Sequence, residues 1–418
     1  MENQYAVWVG IDWADKKNVY AVQVAGSERV KIGSFIQTPV GIDEWVQSLR
    51  KLAKGGKVAI ALEQKKGALI FALMKYDFIV LFPLNPNSFA KYREVWAPSG
   101  AKDDPTDASF ILDMLVHHHK KLIAWVPEPV EVRLLQRLTE QRVKVVHNLK
   151  RVGNRLTSTL KEYFPEVLEI FSTISRTIVC EFLLVYPTLE IAKNASEQEL
   201  HSFFRSHSSG SAKLTAKRIA IIKNAAPLTT DFAVISSNAL LVKGLARELK
   251  VLNQTIAEFQ TEIEKIYCSL PDSKIFDSLP SAGEVSAPRL LAAMGTDRSK
   301  FNSAEELACF LGIAPVVERS GSQCWIHTRY KCSKPLKQAF VEWTFLSLRS
   351  SYWAEELYKK IRAKGKAHSV AIRAIAFKWI RIIFRCWKDR TTYCEVNYLK
   401  ALKKAGSPLT SAQLQLAV

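Results

Sequence analysis

The sequence predicts an α/β plus all-α chain: a mixed sheet domain first, then a long helical remainder. Three observations carry this prediction. Strand-like and helix-like patterns alternate from Tyr5 to about Trp125. From about Pro129 to Cys268 the strand signals vanish, and the region from Ser269 to Val418 again reads as largely helical. A heptad seam then runs through Leu245, Leu249, Leu252, Ile256, Phe259, Ile263 and Ile266.

In the first region Tyr5 to Asp12 reads as a strand, Asn18 to Ala25 as its partner across a polar turn, and Val30 to Gln37 as a third. A helix follows from about Ile42 to Leu52. Lys57 to Leu62 and Phe78 to Phe82 are short apolar runs suited to buried strands, flanked by helices at Ala68 to Lys75 and Pro105 to His119. Three antiparallel strands followed by β-α-β-α is the order of a ribonuclease-H-like fold. The predicted domains are 1–128, a helical, coiled-coil arm at 129–268, and a helical C-terminal domain at 269–418. The arm opens with a basic helix over Glu131 to Phe164, and a set of shorter helices breaks near Pro187 and at Ser206 to Gly210. The heptad seam packs either on that first helix or between subunits.

Charge narrows the partners. Across 418 residues, 59 Lys and Arg against 40 Asp and Glu leave a net charge of +19, which points to a polyanion. No run approaches the roughly 18 apolar residues of a membrane span, and the first residues lack the order of a secretory signal. A soluble, cytosolic protein with no membrane partner is expected. The seven cysteines contain no C-x-x-C pair, so neither zinc nor disulfides are expected.

Four carboxylates stand out. Asp12 sits among apolar residues in the first strand, where a charge is unfavourable unless something neutralises it. Glu63 ends the run Val58 to Leu62, at the carboxyl edge of a central strand. Asp104 and Asp107 open a helix three residues apart, on one face. Four oxygen donors suit Mg²⁺, and a pair of such ions about 4 Å apart promotes phosphoryl transfer. Asp104-Pro105-Thr106-Asp107 also reads as a helix start, with Asp104 as N-cap and Asp107 as its reciprocal partner.

In the third region Ser320-Gly321 precedes a basic segment containing His327, Arg329, Lys331, Lys334 and Lys337. A hydroxyl beside glycine can approach a phosphate, and nearby cations would balance a phosphorane's charge. Ser-Gly is equally a common turn dipeptide. Arg319, Gly321, Arg329, Lys331, Lys334 and Lys337, with Lys102 in the first region, are the candidate nucleic-acid contacts. Phe276 to Gly295 has the form helix, Pro-Ser-Ala-Gly turn, helix. Basic residues from Arg362 to Lys388 interleave with apolar ones, as in a phosphate-contacting helix.

Nearly the whole chain resembles the insertion sequence 110 family of transposases with an Asp-Glu-Asp-Asp site, also called bridge recombinases. Gly10-Ile11-Asp12 is similar to the family's first carboxylate motif and Glu63 to its second. Lys102-Asp103-Asp104-Pro105-Thr106-Asp107-Ala108 resembles its Lys-x-Asp-x-x-Asp-Ala element. Leu279 to Gly295, Phe301 to Pro315, Ser320-Gly321 and Arg362 to Trp387 are similar to its C-terminal transposase domain. The family's Pro-Gly-Ile-Gly turn is Pro280-Ser281-Ala282-Gly283 here.

The resemblance implies that Ser320 is a nucleophile and that Asp12, Glu63, Asp104 and Asp107 form a RuvC-like Mg²⁺ site. It implies donor and target DNA, a noncoding guide (bridge) RNA and a place at the nucleoid of a prokaryotic cytosol; the heptads and the need to hold two duplexes point to a homodimer or tetramer. Two rivals stay open. A metal-dependent nuclease or junction resolvase would use water as nucleophile, and a noncatalytic scaffold would only bridge nucleic acids.

Overall fold

A computed structural model describes residues 4–63, 67–96, 103–207 and 211–407. Contacts divide the chain into two compact units, Met1–Pro127 and Glu128–Val418, and each is described by itself.

The first unit runs β1 (Val7–Asp12), β2 (Lys17–Val24), β3 (Val30–Ile36), α1 (Pro39–Ala53), β4 (Val58–Leu62), α2 (Ala68–Leu73), β5 (Ile79–Pro83), α3 (Pro86–Trp96) and α4 (Asp104–His118). The sheet order is β3-β2-β1-β4-β5. Strands β3, β2 and β1 pair antiparallel, while β1, β4 and β5 pair parallel. This is the mixed sheet the sequence predicts, with one addition, α3, which the apolar pattern did not reveal.

Alternation along the strands sorts the side chains between two layers. Val7, Val9 and Ile11 of β1, with Val58, Ile60 and Leu62 of β4, pack toward α1 against Trp45, Val46 and Leu49. Trp8, Ala59 and Ala61 pack on the other face against Ala108, Ile111, Leu112 and Leu115 of α4. Gly10 shares that second face. A Cβ at Gly10 would overlap the Ala108 carbonyl oxygen and the Leu112 amide nitrogen, so the missing side chain is what lets α4 lie directly on β1.

The second unit is helical. Its two longest members are α5 (Val130–Tyr163) and, after α6 (Glu166–Ile170), α7 (Thr177–Val185), α8 (Leu189–Asn194), α9 (Glu197–Ser206) and α10 (Ala212–Asn224), α11 (Phe232–Ser269). At 34 and 38 residues these helices are roughly 50 Å and 57 Å long. Each spans two hydrophobic cores in opposite directions. Val132 and Leu135 of α5 share one core with Ile263 and Tyr267 of α11. Leu156 and Leu160 share the other with Val242, Leu245 and Leu249.

The heptad seam therefore packs within the chain. It is uneven: Leu245, Leu249 and Ile263 are buried, whereas Leu252, Ile256, Phe259 and Ile266 are half-buried. In the Ser206 to Gly210 break, residues 208–210 lie outside the described residues.

The chain continues with α12 (Ser273–Asp277), α13 (Gly283–Met294), α14 (Ala304–Phe310), β6 (Val316–Ser320), β7 (Gln323–His327), α15 (Lys334–Ser347), α16 (Tyr352–Ala363), α17 (His368–Asp389) and α18 (Glu395–Lys404). The helix–turn–helix over Phe276 to Gly295 is present as α12 and α13. The basic stretch from Arg362 is two helices, not one. Gly365 at φ +73° breaks it before α17 begins. The antiparallel hairpin β6–β7 corrects the expectation of an all-helical remainder. No helix among the described residues is long and apolar enough to cross a membrane.

Candidate active site

A first candidate site forms where β1 and β4 end. Their register runs Val7 to Ile11 against Val58 to Leu62, so Asp12 and Glu63 are the next residue on each of two adjacent parallel strands. Period-two alternation puts both on the face that α4 covers, since Gly10 and Ala61 lie on it. Both side chains are half-buried. The first turn of α4, carrying Asp104 and Asp107, lies against this face because Ala108 sits over Gly10.

Helix geometry corrects the capping reading of Asp104 and Asp107. The N-cap is Asp103, at φ −143° and ψ 146°, and no side-chain cap hydrogen bond forms there. Asp104 is thus the first helical residue, not the cap, and the reciprocal capping pair is absent. Asp104 is exposed, whereas Asp107 is 3% exposed.

A buried carboxylate needs a counter-charge. Asp107 has one in Arg93 of α3, whose Nη1 donates to Oδ1 at 3.1 Å and to Oδ2 at 3.3 Å. On the same helix, Tyr92 donates its hydroxyl proton to Asp113, docking α3 on α4. Burial first, then that hydrogen bond, pushes the Tyr92 hydroxyl up to about 12. Sequence reasoning missed Arg93; the Lys91-Tyr92-Arg93 run ahead of the Lys102 motif is its only signal.

Among the described residues no three His, Cys, Asp or Glu side chains are already gathered tightly enough to hold a metal ion. Lys102 lies outside the described residues.

A second candidate site, in the second unit, is the β6–β7 hairpin. Ser320 pairs with Gln323 as its last rung, leaving Gly321 and Ser322 as a two-residue turn. Gly321 has φ +57°, the left-handed value a turn of this kind demands at its first position. Ser320 is thus the last strand residue before the turn, and Gly321 opens the turn. Ser320 and its neighbours Arg319 and Gly321 are exposed, as is all of β7.

His327 is not placed to act on Ser320. It pairs with Val316, four residues back along β6, roughly 13 Å away at about 3.3 Å per residue. Its Nε2 faces the Glu318 carboxylate at 3.6 Å.

The basic segment divides into anchors and exposed cations. Arg329 donates through Nε to the Ala314 carbonyl at 3.1 Å, and Lys337 donates to the Arg329 carbonyl at 2.9 Å. These bonds fasten the foot of the hairpin. Gly312 joins in: at φ +73°, with a Cβ that would overlap Cys332, it holds the chain where only glycine fits. Lys331 and Lys334 are exposed. On α17, Arg381 pairs with Glu305 at 2.9 Å and Lys388 donates to the Arg298 carbonyl, so part of its basic face is engaged within the unit.

Comparison with known proteins covers both regions. Residues 9–165 match the family model described as a transposase of the Asp-Glu-Asp-Asp type from IS110, and residues 273–359 match that of the IS116/IS110/IS902 transposase family. The first match includes Asp12, Glu63, Asp104 and Asp107; the second includes Ser320. The chain is 25% identical to the mini-circle putative transposase for IS117 of Streptomyces coelicolor over 97% of this chain and 100% of that protein. It is 24% identical to the IS900 42 kDa protein of Mycobacterium paratuberculosis over 93% and 97% of the two chains. With the IS116 44.8 kDa protein of Streptomyces clavuligerus it shares 23% identity over 93% and 96%. With both of the family's transposase domains present in order, this chain belongs to the IS110/IS116 family of transposases.

Proposed function

We propose that this transposase is an RNA-guided DNA recombinase that exchanges strands through a phosphoserine link formed by Ser320. One observation carries the catalytic half of this reading. Asp12 and Glu63 end adjacent parallel strands on the face that α4 covers, and α4 brings Asp104 and Asp107 in its first turn. The sheet order β3-β2-β1-β4-β5 supports a ribonuclease-H-like domain around them.

The donor set fits a hard divalent cation, because all four groups offer carboxylate oxygens. Asp12, Glu63, Asp104 and Asp107 would hold it, with Mg²⁺ the proposed ion. Bound there, such an ion would stabilise negative charge on the oxygens of the transferring phosphate. The chain's own residues do the rest. Ser320 Oγ bonds to phosphorus as the sugar oxygen of one strand leaves and takes up a proton. A hydroxyl of another strand then attacks the phosphoserine and releases Ser320. Bond energy is kept in the link, so exchange needs no ATP.

Arg319, Gly321, Lys331 and Lys334, exposed on and below the hairpin, are the proposed phosphate contacts. Arg329 and Lys337 act chiefly as anchors. Donor and target DNA are the substrates; the guide RNA is proposed from the family resemblance and from the net charge of +19. We assign residues 1–128 to the metal-binding domain, 129–268 to a coiled-coil arm and 269–418 to the serine domain. A homodimer or tetramer in the prokaryotic cytosol, at the nucleoid, supplies the surface for two duplexes.

A suicide DNA substrate tests the reading. Wild-type protein becomes covalently attached, and Ser320→Ala abolishes the adduct while DNA binding is kept. Adduct retained in Ser320→Ala rejects the serine as nucleophile. Cleaved ends with no protein attached would make the chain a metal nuclease.

A further inference from the structure

Between α15 and α17 lies a groove of about 490 Å³, a volume in the range of small-ligand sites. One stripe of α15 forms one side. Lys334, Lys337, Gln338, Val341, Glu342 and Phe345 recur at helical spacing and all line it. His368, Ser369, Ile372 and Arg373, the first turns of α17, form the other side.

The lining is chemically two-sided. Val341, Phe345 and Ile372 give an apolar slot, and Phe345 is 45% exposed. Lys334, His368 and Arg373 stand along it as cations or potential cations. Glu342 is the one acid in the lining, and its charge is spent on Arg289 at 2.7 Å. Burial raises the Glu342 carboxyl, but hydrogen bonds from Arg289 and Gln338 outweigh it and hold the group below its usual value. The groove therefore presents apolar and aromatic surface beside uncompensated positive charge.

That pairing matches one chemical object: a flat base with a phosphate attached. We infer that the α15–α17 groove receives a single unpaired DNA nucleotide, its base against Phe345 and its phosphate toward Lys334 and Arg373. The inference rests on the chain's family membership, since a transposase acts on DNA, and not on the serine chemistry. Location favours DNA over other polyanions. Lys337 lines the groove and also grips the Arg329 carbonyl at the foot of the hairpin. The hairpin foot thus borders the groove, and the Ser320 tip lies one five-residue strand, roughly 17 Å, from that foot.

The test compares two probes of equal length with the full chain: a single-stranded thymidine homopolymer and the matching abasic deoxyribose-phosphate strand. Wild-type protein is expected to prefer the thymidine strand by about tenfold, the worth of one stacked base. Phe345→Ala erases that preference, and Arg373→Gln weakens both probes. Both side chains are partly exposed, so the variants keep the fold. A preference unchanged within about twofold in Phe345→Ala overturns the inference. So does a ribouridine homopolymer that binds about tenfold tighter than the thymidine strand and loses that advantage in Phe345→Ala; the occupant is then RNA. Ser320→Ala must bind both probes like wild type. If it binds normally but forms adducts, the serine reading fails and the groove stands.

Discussion

Arg93 holds Asp107 by two hydrogen bonds at 3.1 Å and 3.3 Å, and that carboxylate is almost fully buried in the first turn of α4. A guanidinium supplies the positive charge that a buried carboxylate requires. A divalent cation among the same carboxylates would take over that task. Arg93 therefore neutralises Asp107 and ties α3 to α4, and on the proposed reading a bound cation would exchange with it.

The first prediction follows from that exchange. Arg93→Gln leaves Asp107 buried without its ion pair, which costs about 3 kcal/mol, near the lower end for breaking a buried pair. Added Mn²⁺ or Mg²⁺ should restore much of the loss, giving a larger metal-induced rise in Tm than in wild type. Thermal melts with and without cation measure this. Equal rises in both proteins would show that Asp107 is not a ligand.

Gly10 sets how close α4 comes to the sheet. Gly10→Ala forces a methyl group into the Ala108 carbonyl and the Leu112 amide, both backbone, so the helix must move. A loss of about 2 kcal/mol is expected from overpacking, with weaker metal binding because Asp104 and Asp107 move with α4. Chemical denaturation and metal titration check the two effects together.

His327 lies at the far end of the hairpin from Ser320. His327→Gln should form the covalent DNA adduct at a rate within about threefold of wild type, since a general base is worth 10²–10⁴-fold. A hundredfold loss with the fold intact would restore histidine as the activating group.

Ser281 occupies a left-handed conformation at φ +53°, in the Pro280-Ser281-Ala282-Gly283 turn. That conformation costs a non-glycine residue roughly 1–2 kcal/mol. Its hydroxyl gains back part of this through a 2.6 Å hydrogen bond with Ser350. Ser281→Gly is expected to stabilise the protein by up to about 1 kcal/mol, read as a higher denaturation midpoint.

Where the sequence was legible, burial wrote the pattern. The strands β1, β4 and β5 face helices, so Val7 to Ile11, Val58 to Leu62 and Ile79 to Phe82 read as apolar runs. Asp12 stood out because it follows such a run. The β6–β7 hairpin was not legible, because almost all its residues are exposed and no core-facing alternation marks them. Arg93 was missed for a related reason: α3 buries only Phe89 fully, so neither the helix nor its charge left an apolar trace. The cap at Asp103 fell one residue before the expected Asp104, a shift that freed both motif carboxylates from capping.

The central claim is that the carboxylates of the first unit and the serine of the second act on one phosphodiester. It is tested most directly by trapping the adduct on a suicide substrate, mapping the modified residue by mass spectrometry, and repeating this with Asp12→Asn. The account predicts the nucleotide on Ser320 in wild type and no adduct in Asp12→Asn, with DNA binding retained. An adduct that forms at an undiminished rate in Asp12→Asn, or that maps to a residue other than Ser320, would contradict it.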